Sequence, residues 1–339
     1  MRAYRPPLEA RGGSLRLDFN ENTQGAPPTV RRALARLSSD RLAMYPEYAN
    51  ARRALAGAFG VRSGELLLTN GTDDALHLVA DVFSGPGRDV LVLEPTYAMY
   101  RFYAERAGAR VRRVRYGPGF AFPERRLLAA LRRRPSVLFL ANPNNPTGTL
   151  ASPDQLARAL DAARRTTIVV DEAYADFSGV TVLPWIRRHA NLVVTRTFSK
   201  AGGIAGLRLG CLMTNRRTAL VLARAHSPYS VNAAALAAGC ALARRCAATA
   251  AYVADVRAAR DLLARALAGL GVRVFPSAAN FVLADFGPEA GTVVRRLAAR
   301  GILVRDRRSD FPRPGFVRLT AGTRSQTRRL IRALEEVCP

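Results

Sequence analysis

The stretch "RTFSKAGGIAGLRLG" (196–210) holds the chain's only lysine, Lys200. Of the 52 Lys and Arg residues, every other one is an arginine. A guanidinium stays protonated at any reachable pH, whereas a lysine amine can be tuned and deprotonated. A deprotonated amine attacks a carbonyl carbon and forms a Schiff base, which a guanidinium cannot do. One lysine left over in an arginine-biased composition is the competing reading, and composition alone does not choose between them. The neighbours carry more information. Thr197 and Ser199 place two hydroxyls beside the amine, and Arg208 follows with a guanidinium eight residues on.

Other chemically capable groups stand where apolar runs end. "TNGTDD" (69–74) closes one such run. Gly71 permits close backbone approach, and the amides of Thr72 and Asp73 would face an anion at a helix start. As an isolated motif it is equally an ordinary capped turn. "NPNNPTGT" (142–149) is a rigid turn whose asparagine amides can bond a planar ligand. "VVDEAY" (169–174) sets Asp171 at the end of a buried run, where a carboxylate needs a cation or a donor. An ion pair with one of the arginines would meet that need equally well.

These groups must be positioned by the elements around them. Strands are expected over 65–70, 89–95, 137–142, 167–174, 192–198 and 209–214, as nearly continuous apolar runs suited to burial on both faces. Helical patterns lie between them. One covers 72–83, with Ala75, Leu76, Val79, Val82 and Phe83 on one face. Another covers 152–165, with Ser152 as its N-cap. This is a βαβ pattern with a mainly parallel sheet flanked by helices. In such sheets ligands bind past the carboxyl ends of the strands, where the polar groups stand. After about residue 233 the chain turns Ala- and Arg-rich, then gives short strands and a final helix, as a smaller α+β unit. The expected organisation is an N-terminal arm over 1–30, a large domain over 31–232 and a small domain over 233–339.

The ordered set of motifs resembles the pyridoxal-phosphate aminotransferases of fold type I, and within them the histidinol-phosphate aminotransferase branch. The likeness runs from "LDFNEN" (17–22) to "VRLTAGT" (317–323). It implies pyridoxal 5'-phosphate as cofactor and Lys200 as the Schiff-base lysine and proton carrier. It implies Asp171 as partner of the pyridine nitrogen, and Tyr174 with Asn145 as partners of the ring's phenolic oxygen. Tyr97 would stack on the ring. Gly71, Thr72, Asp73, Thr197, Ser199 and Arg208 would cradle the phosphate. Tyr45, in "MYPEY", would reach the phosphate of a neighbouring subunit, which implies a homodimer with shared active sites. Arg305 and Arg318 match a pair of arginines for substrate anions, and Asn20 and Glu21 match a segment that closes over the site. In one respect the chain departs from the pattern. Many members follow "NEN" with Pro-Tyr, whose tyrosine helps bind the substrate phosphate; this chain has "NENTQG", and Gln24 in that place is expected to bind substrate through a donated hydrogen bond.

The bulk composition bounds the alternatives. The net charge of +26 raises a nucleic-acid reading, but the arginines are spread along the chain with no basic tail or recognised RNA motif, so no specific nucleic acid is expected. No apolar run of membrane-spanning length and no signal-like start are present. The four cysteines show no C-x-x-C spacing and the three histidines lie far apart, so neither a metal site nor a disulfide framework is expected, and the cytoplasm is the expected compartment. The expected reaction is transfer of an amino group from histidinol phosphate to a 2-oxo acid, 2-oxoglutarate. Still open from sequence are a donor of another kind, aromatic or specialised, and decarboxylation of an amino-acid phosphate.

Overall fold

The computed structural model describes residues 11–244 and 247–338. Cys246 and the first ten residues lie outside them. The described residues form twelve strands in two sheets. They are β1 (Leu15–Leu17), β2 (Leu66–Asn70), β3 (Asp89–Glu94), β4 (Arg110–Arg115), β5 (Val137–Ala141) and β6 (Thr167–Asp171). Then come β7 (Leu192–Thr197), β8 (Leu209–Thr214), β9 (Arg273–Phe275), β10 (Phe281–Asp285), β11 (Ile302–Asp306) and β12 (Phe316–Thr320).

The larger sheet has the order β2-β8-β7-β6-β5-β3-β4. Neighbours among β3 to β7 pair in parallel, and β8 alone runs antiparallel between β2 and β7. Its central strands are buried on both faces, as their unbroken apolar runs require. Leu91, Leu93, Leu138, Leu140, Val170 and Val194 pack to one side, and Val90, Val92, Phe139, Val169 and Val193 to the other. Helices cover both faces. The helix Gly71–Phe83 buries Ala75, Leu76 and Val79. The helix Pro153–Ala162 starts at Ser152, whose Oγ accepts from the Gln155 amide at 3.2 Å while Gln155 Oε1 accepts from the Ser152 amide at 3.0 Å. That reciprocal box satisfies two amides the helix cannot satisfy itself.

The smaller sheet has the order β1-β11-β12-β10-β9. Its edge strand β1 comes from the N-terminal segment and lies parallel to β11. The helix Ala233–Ala243 follows the expected boundary at 233, but it packs Ala235, Leu236 and Ala238 into the core of the larger sheet. Its Ala-rich surface lets it lie close against the helices Pro28–Ala35 and Ala49–Phe59. Chain order and packing order thus differ at both ends of the larger unit.

Candidate active site

The parallel strands all end at one edge of the larger sheet, and the polar groups converge there. β2 ends at Asn70 and Gly71 opens a helix. β5 leads into Asn145, β6 ends in Asp171, and β7 leads into Ser199 and Lys200. β8 runs the other way, so its first residue, Leu209, brings Arg208 to the same edge. The groups line a cleft of ≈ 570 Å³ that the smaller sheet closes with Arg305 and Arg318.

Lys200 points into this cleft, and its Nζ donates to the Phe19 carbonyl at 2.8 Å. Loss of water around the amine, with Arg318 and Arg208 nearby, lowers its pKa to about 8. A protonated amine loses hydration there, and like charges add to the penalty. Asp171 is buried. Oδ2 accepts from the Tyr100 hydroxyl at 2.7 Å, and Oδ1 accepts from the Thr195 hydroxyl at 3.0 Å and the Ala173 amide at 3.2 Å. No cation among the described residues pairs with it, so the arginine ion pair is not its partner. Burial pushes its carboxyl above the usual carboxylate range despite those three donors.

At the helix start, Asp73 accepts from Arg208 Nη2 at 3.1 Å and from the Tyr97 hydroxyl at 2.9 Å. Asp73 therefore fixes both the guanidinium and the aromatic ring. Gly71 has φ +74°, and a Cβ there would stand 2.5 Å from Arg208 Nη2. Gly210 is as tight: its Cβ would meet the Gly71 carbonyl carbon at 2.5 Å and the Thr72 nitrogen at 2.7 Å. The two glycines let helix start, guanidinium and strand close up into one concave corner, which Thr72, Thr197 and Ser199 also line.

Tyr174 is buried, and its hydroxyl accepts from Asn20 Nδ2 at 2.9 Å. Asn20, fully buried, in turn accepts from Thr320 Oγ1 at 2.8 Å through its side chain, so it braces the tyrosine from below. Arg318 Nη1 donates to Asn145 Oδ1 at 2.6 Å. Arg305 sits directly across the ladder from Arg318, over the Phe19 ring at 5.3 Å. Glu21 lies beside the site, paired with Arg11 at 2.8 Å. Gln24 is exposed and does not line the cleft. Tyr45 is 81% exposed, outside this chain's cleft, with its ring 4.7 Å from that of Tyr229.

Four groups at the site were not singled out in the sequence. Tyr100 is the donor to Asp171; it follows Tyr97 by three residues, the spacing of one helix face. Phe19 supplies the carbonyl for Lys200. Gly210 completes the close approach. Arg307 lines the cleft two residues after Arg305, on the alternation of a strand.

Pyridoxal phosphate, the cofactor the resemblance implies, fits this arrangement. The corner at the helix start, with the Arg208 guanidinium and backbone amides, is a cradle that a Cβ on Gly71 would fill. Among the described residues no cation pairs with the buried Asp171 carboxylate, and a protonated ring nitrogen would supply one. The amine beside them is the nucleophile for an aldehyde.

The model of the family "Aminotransferase class I and II" matches residues 13–334. The chain belongs to that family. This aminotransferase is 38% identical to the histidinol-phosphate aminotransferase of Symbiobacterium thermophilum, over 95% of this chain and 90% of the relative. It is 32% identical to histidinol-phosphate aminotransferase 1 of Carboxydothermus hydrogenoformans, over 99% of this chain and 96% of the relative. Among solved structures it is similar to the histidinol-phosphate aminotransferase of Sinorhizobium meliloti in complex with pyridoxal-5'-phosphate. The two share 25% identity and a TM-score of 0.87, over 96% of this chain and 90% of that one.

Proposed function

We propose that this aminotransferase uses pyridoxal phosphate to move the amino group of histidinol phosphate to 2-oxoglutarate, as a cytoplasmic homodimer. The observation that carries the reading is Lys200, the sole lysine, with a lowered pKa, between the Arg208 corner at the helix start and the buried Asp171 carboxylate. The histidinol-phosphate aminotransferases among its relatives support the donor.

Bound at the site, the cofactor would supply an electron sink for the pair left when the donor loses its Cα proton. The chain's residues do the rest. Arg208 and the amides of Thr72 and Asp73 hold the phosphate at the helix start, with Thr197 and Ser199 beside it. Asp171, held by Tyr100 and Thr195, keeps the ring nitrogen protonated. Tyr97 limits the ring's movement from one face, anchored by Asp73. Tyr174 and Asn145 orient the ring oxygen. Lys200 Nζ, whose pKa is lowered to about 8, would be the group that takes up the Cα proton of the donor. Arg318 receives the acceptor's carboxylate, and Arg305 receives the anionic tail.

The homodimer reading is supported by the exposed apolar side chains Leu42, Met44, Tyr45 and Tyr229, 63–81% exposed, two of which, Tyr45 and Tyr229, are in ring contact. The test of the donor is kcat/KM for histidinol phosphate, histidinol, phenylalanine and tyrosine with 2-oxoglutarate. Histidinol phosphate is expected to lead; preference for an unphosphorylated aromatic donor overturns the reading.

A further inference from the structure

The Tyr174 hydroxyl has a single proton to give, and its direction follows from the neighbour behind it. Asn20 Nδ2 stands 2.9 Å from the hydroxyl oxygen, and Asn20 Oδ1 stands 2.8 Å from Thr320 Oγ1. A side-chain amide can be placed either way round, so the choice needs a chemical anchor. The backbone provides one. The Asn20 amide donates to Thr320 Oγ1 at 3.1 Å, and a peptide N–H can only donate. Thr320 is fully buried, and its hydroxyl makes no other hydrogen bond among the described residues. Its own proton therefore goes to the Asn20 side-chain oxygen. With the Asn20 amide reversed, that proton would be buried and unmatched. Nδ2 thus faces Tyr174, the tyrosine oxygen accepts from behind, and its proton is left for the cleft that the tyrosine lines.

Asn20 holds this position in a conformation that few side chains accept. Its φ is +56°, in the left-handed region, where asparagine is among the tolerated residues. It is fully buried, and its carbonyl accepts from Asn280 Nδ2 at 3.1 Å. Two bonds with Thr320 in β12 and one from Asn280, just before β10, therefore fix this residue from the smaller sheet. Tyr174 stands on the larger unit, three residues past β6. The residue before Asn20, Phe19, offers its carbonyl to Lys200. A left-handed, buried backbone held from several sides beside the reacting amine is the kind of outlier that gathers at functional sites.

We propose that Asn20 is a positioning residue that sets the direction of the Tyr174 hydrogen bond, so that the hydroxyl donates to the ring oxygen of the cofactor. The assignment rests on Tyr174 as a partner of that oxygen and deepens that reading. Without the Asn20 side chain the hydroxyl can turn its proton backwards. With a carboxylate in its place the proton is drawn backwards, because an ionised carboxylate only accepts.

The test is a pH titration of the bound cofactor's visible absorbance in the holoenzyme and its variants, alongside steady-state kinetics. A hydrogen bond donated to the ring oxygen favours the anionic oxygen and lowers the midpoint. Loss of that one charge-assisted bond is expected to raise the midpoint by about one pH unit. Tyr174→Phe should show this full rise. Asn20→Gly, which suits the left-handed backbone, should show part of it. Asn20→Asp, which also suits it, should match Tyr174→Phe or exceed it, and should lower kcat about tenfold with little change in KM. The charge of the new carboxylate acts with or without the hydroxyl, but the reversed bond acts only with it. The rise from Asn20→Asp should therefore be larger beside Tyr174 than in the Tyr174→Phe background, and Asn20→Gly should add nothing to Tyr174→Phe. If Tyr174→Phe moves the midpoint and neither Asn20 variant does, the role of Asn20 falls and that of Tyr174 stands. Equal rises in both backgrounds also remove it, as the mark of a general disturbance of the site. If Tyr174→Phe leaves the midpoint in place, the bond to the ring oxygen falls and the role of Asn20 falls with it.

Discussion

At the scale of single residues, the site assigns separable jobs. Replacing Lys200 by arginine keeps the charge and loses the tunable amine. Turnover is expected to fall by about 10²-fold to 10⁴-fold or more, the range for a lost proton carrier. Borohydride treatment of the wild type should fix the cofactor to the peptide that contains residue 200, and a label elsewhere would contradict the assignment. The lowered amine also sets a pH dependence. Below about 8 the amine is mostly protonated, so covalent capture of the cofactor by the apo-protein should speed up about tenfold per pH unit there and level off above it. A plateau only near the ordinary lysine value would show that the amine is not desolvated. Stability follows with its own sign. The unfolded chain binds this proton more tightly than the folded one, so between about 8 and the ordinary lysine value the apo-protein gains stability as pH rises. Asp171→Asn should lower turnover far more than cofactor affinity. Arg208→Ala should weaken cofactor retention by about 10–100-fold through the lost charge-assisted bond. Identical defects in the two variants would erase that division of roles.

At the scale of elements, the cradle depends on backbone that admits no side chain. Gly210→Ala drives a methyl into the first turn of the helix Gly71–Phe83 and should cost about 1–3 kcal/mol in a denaturant melt. Gly57→Ala, inside the helix Ala49–Phe59 with nothing within 4 Å, should instead stabilise by about 0.5–1 kcal/mol. Equal effects would show that the approach at Gly210 is not tight. The central strands were legible because burial on both faces writes an uninterrupted apolar run. β4 was not. Its sequence, Arg110–Arg115, carries four arginines, tolerated because it is an edge strand whose Arg110, Arg112 and Arg113 meet Asp89 and Glu94. β1, at three residues, is too short to show a period. Lys200, Asp171 and the Gly71 turn were legible because each ends a readable strand. Arg307, Phe19 and Tyr100 reach the cleft through a ladder, a carbonyl and a helix face, which spacing alone leaves open. The outward turn of Gln24 was equally hidden, since it depends on how the arm packs.

At the scale of the whole molecule, the N-terminal segment joins the two sheets. β1 pairs with β11, and a few residues on Asn20 reaches Tyr174 and Thr320. If the Tyr45 of one copy completes the site of the other, two inactive variants should rescue each other. Mixed Tyr45→Ala and Lys200→Ala chains place one intact composite site in each heterodimer, so activity should return after verified subunit exchange. No recovery would argue for sites complete within one chain.

The seat of Lys200 also makes the molecule a reporter of its own opening. A protease that cuts only beside lysine has one target in the entire chain. In the folded protein that bond lies between the buried neighbours Ser199 and Ala201, with the side chain turned to the Phe19 carbonyl. An extended segment cannot be drawn from there into a protease while the two sheets stay together. Digestion at this one bond therefore counts the excursions in which the floor of the cleft comes apart, a quantity otherwise reached by hydrogen exchange. Every nick is an opening of the catalytic floor, recorded as a single pair of fragments that meet at residue 200.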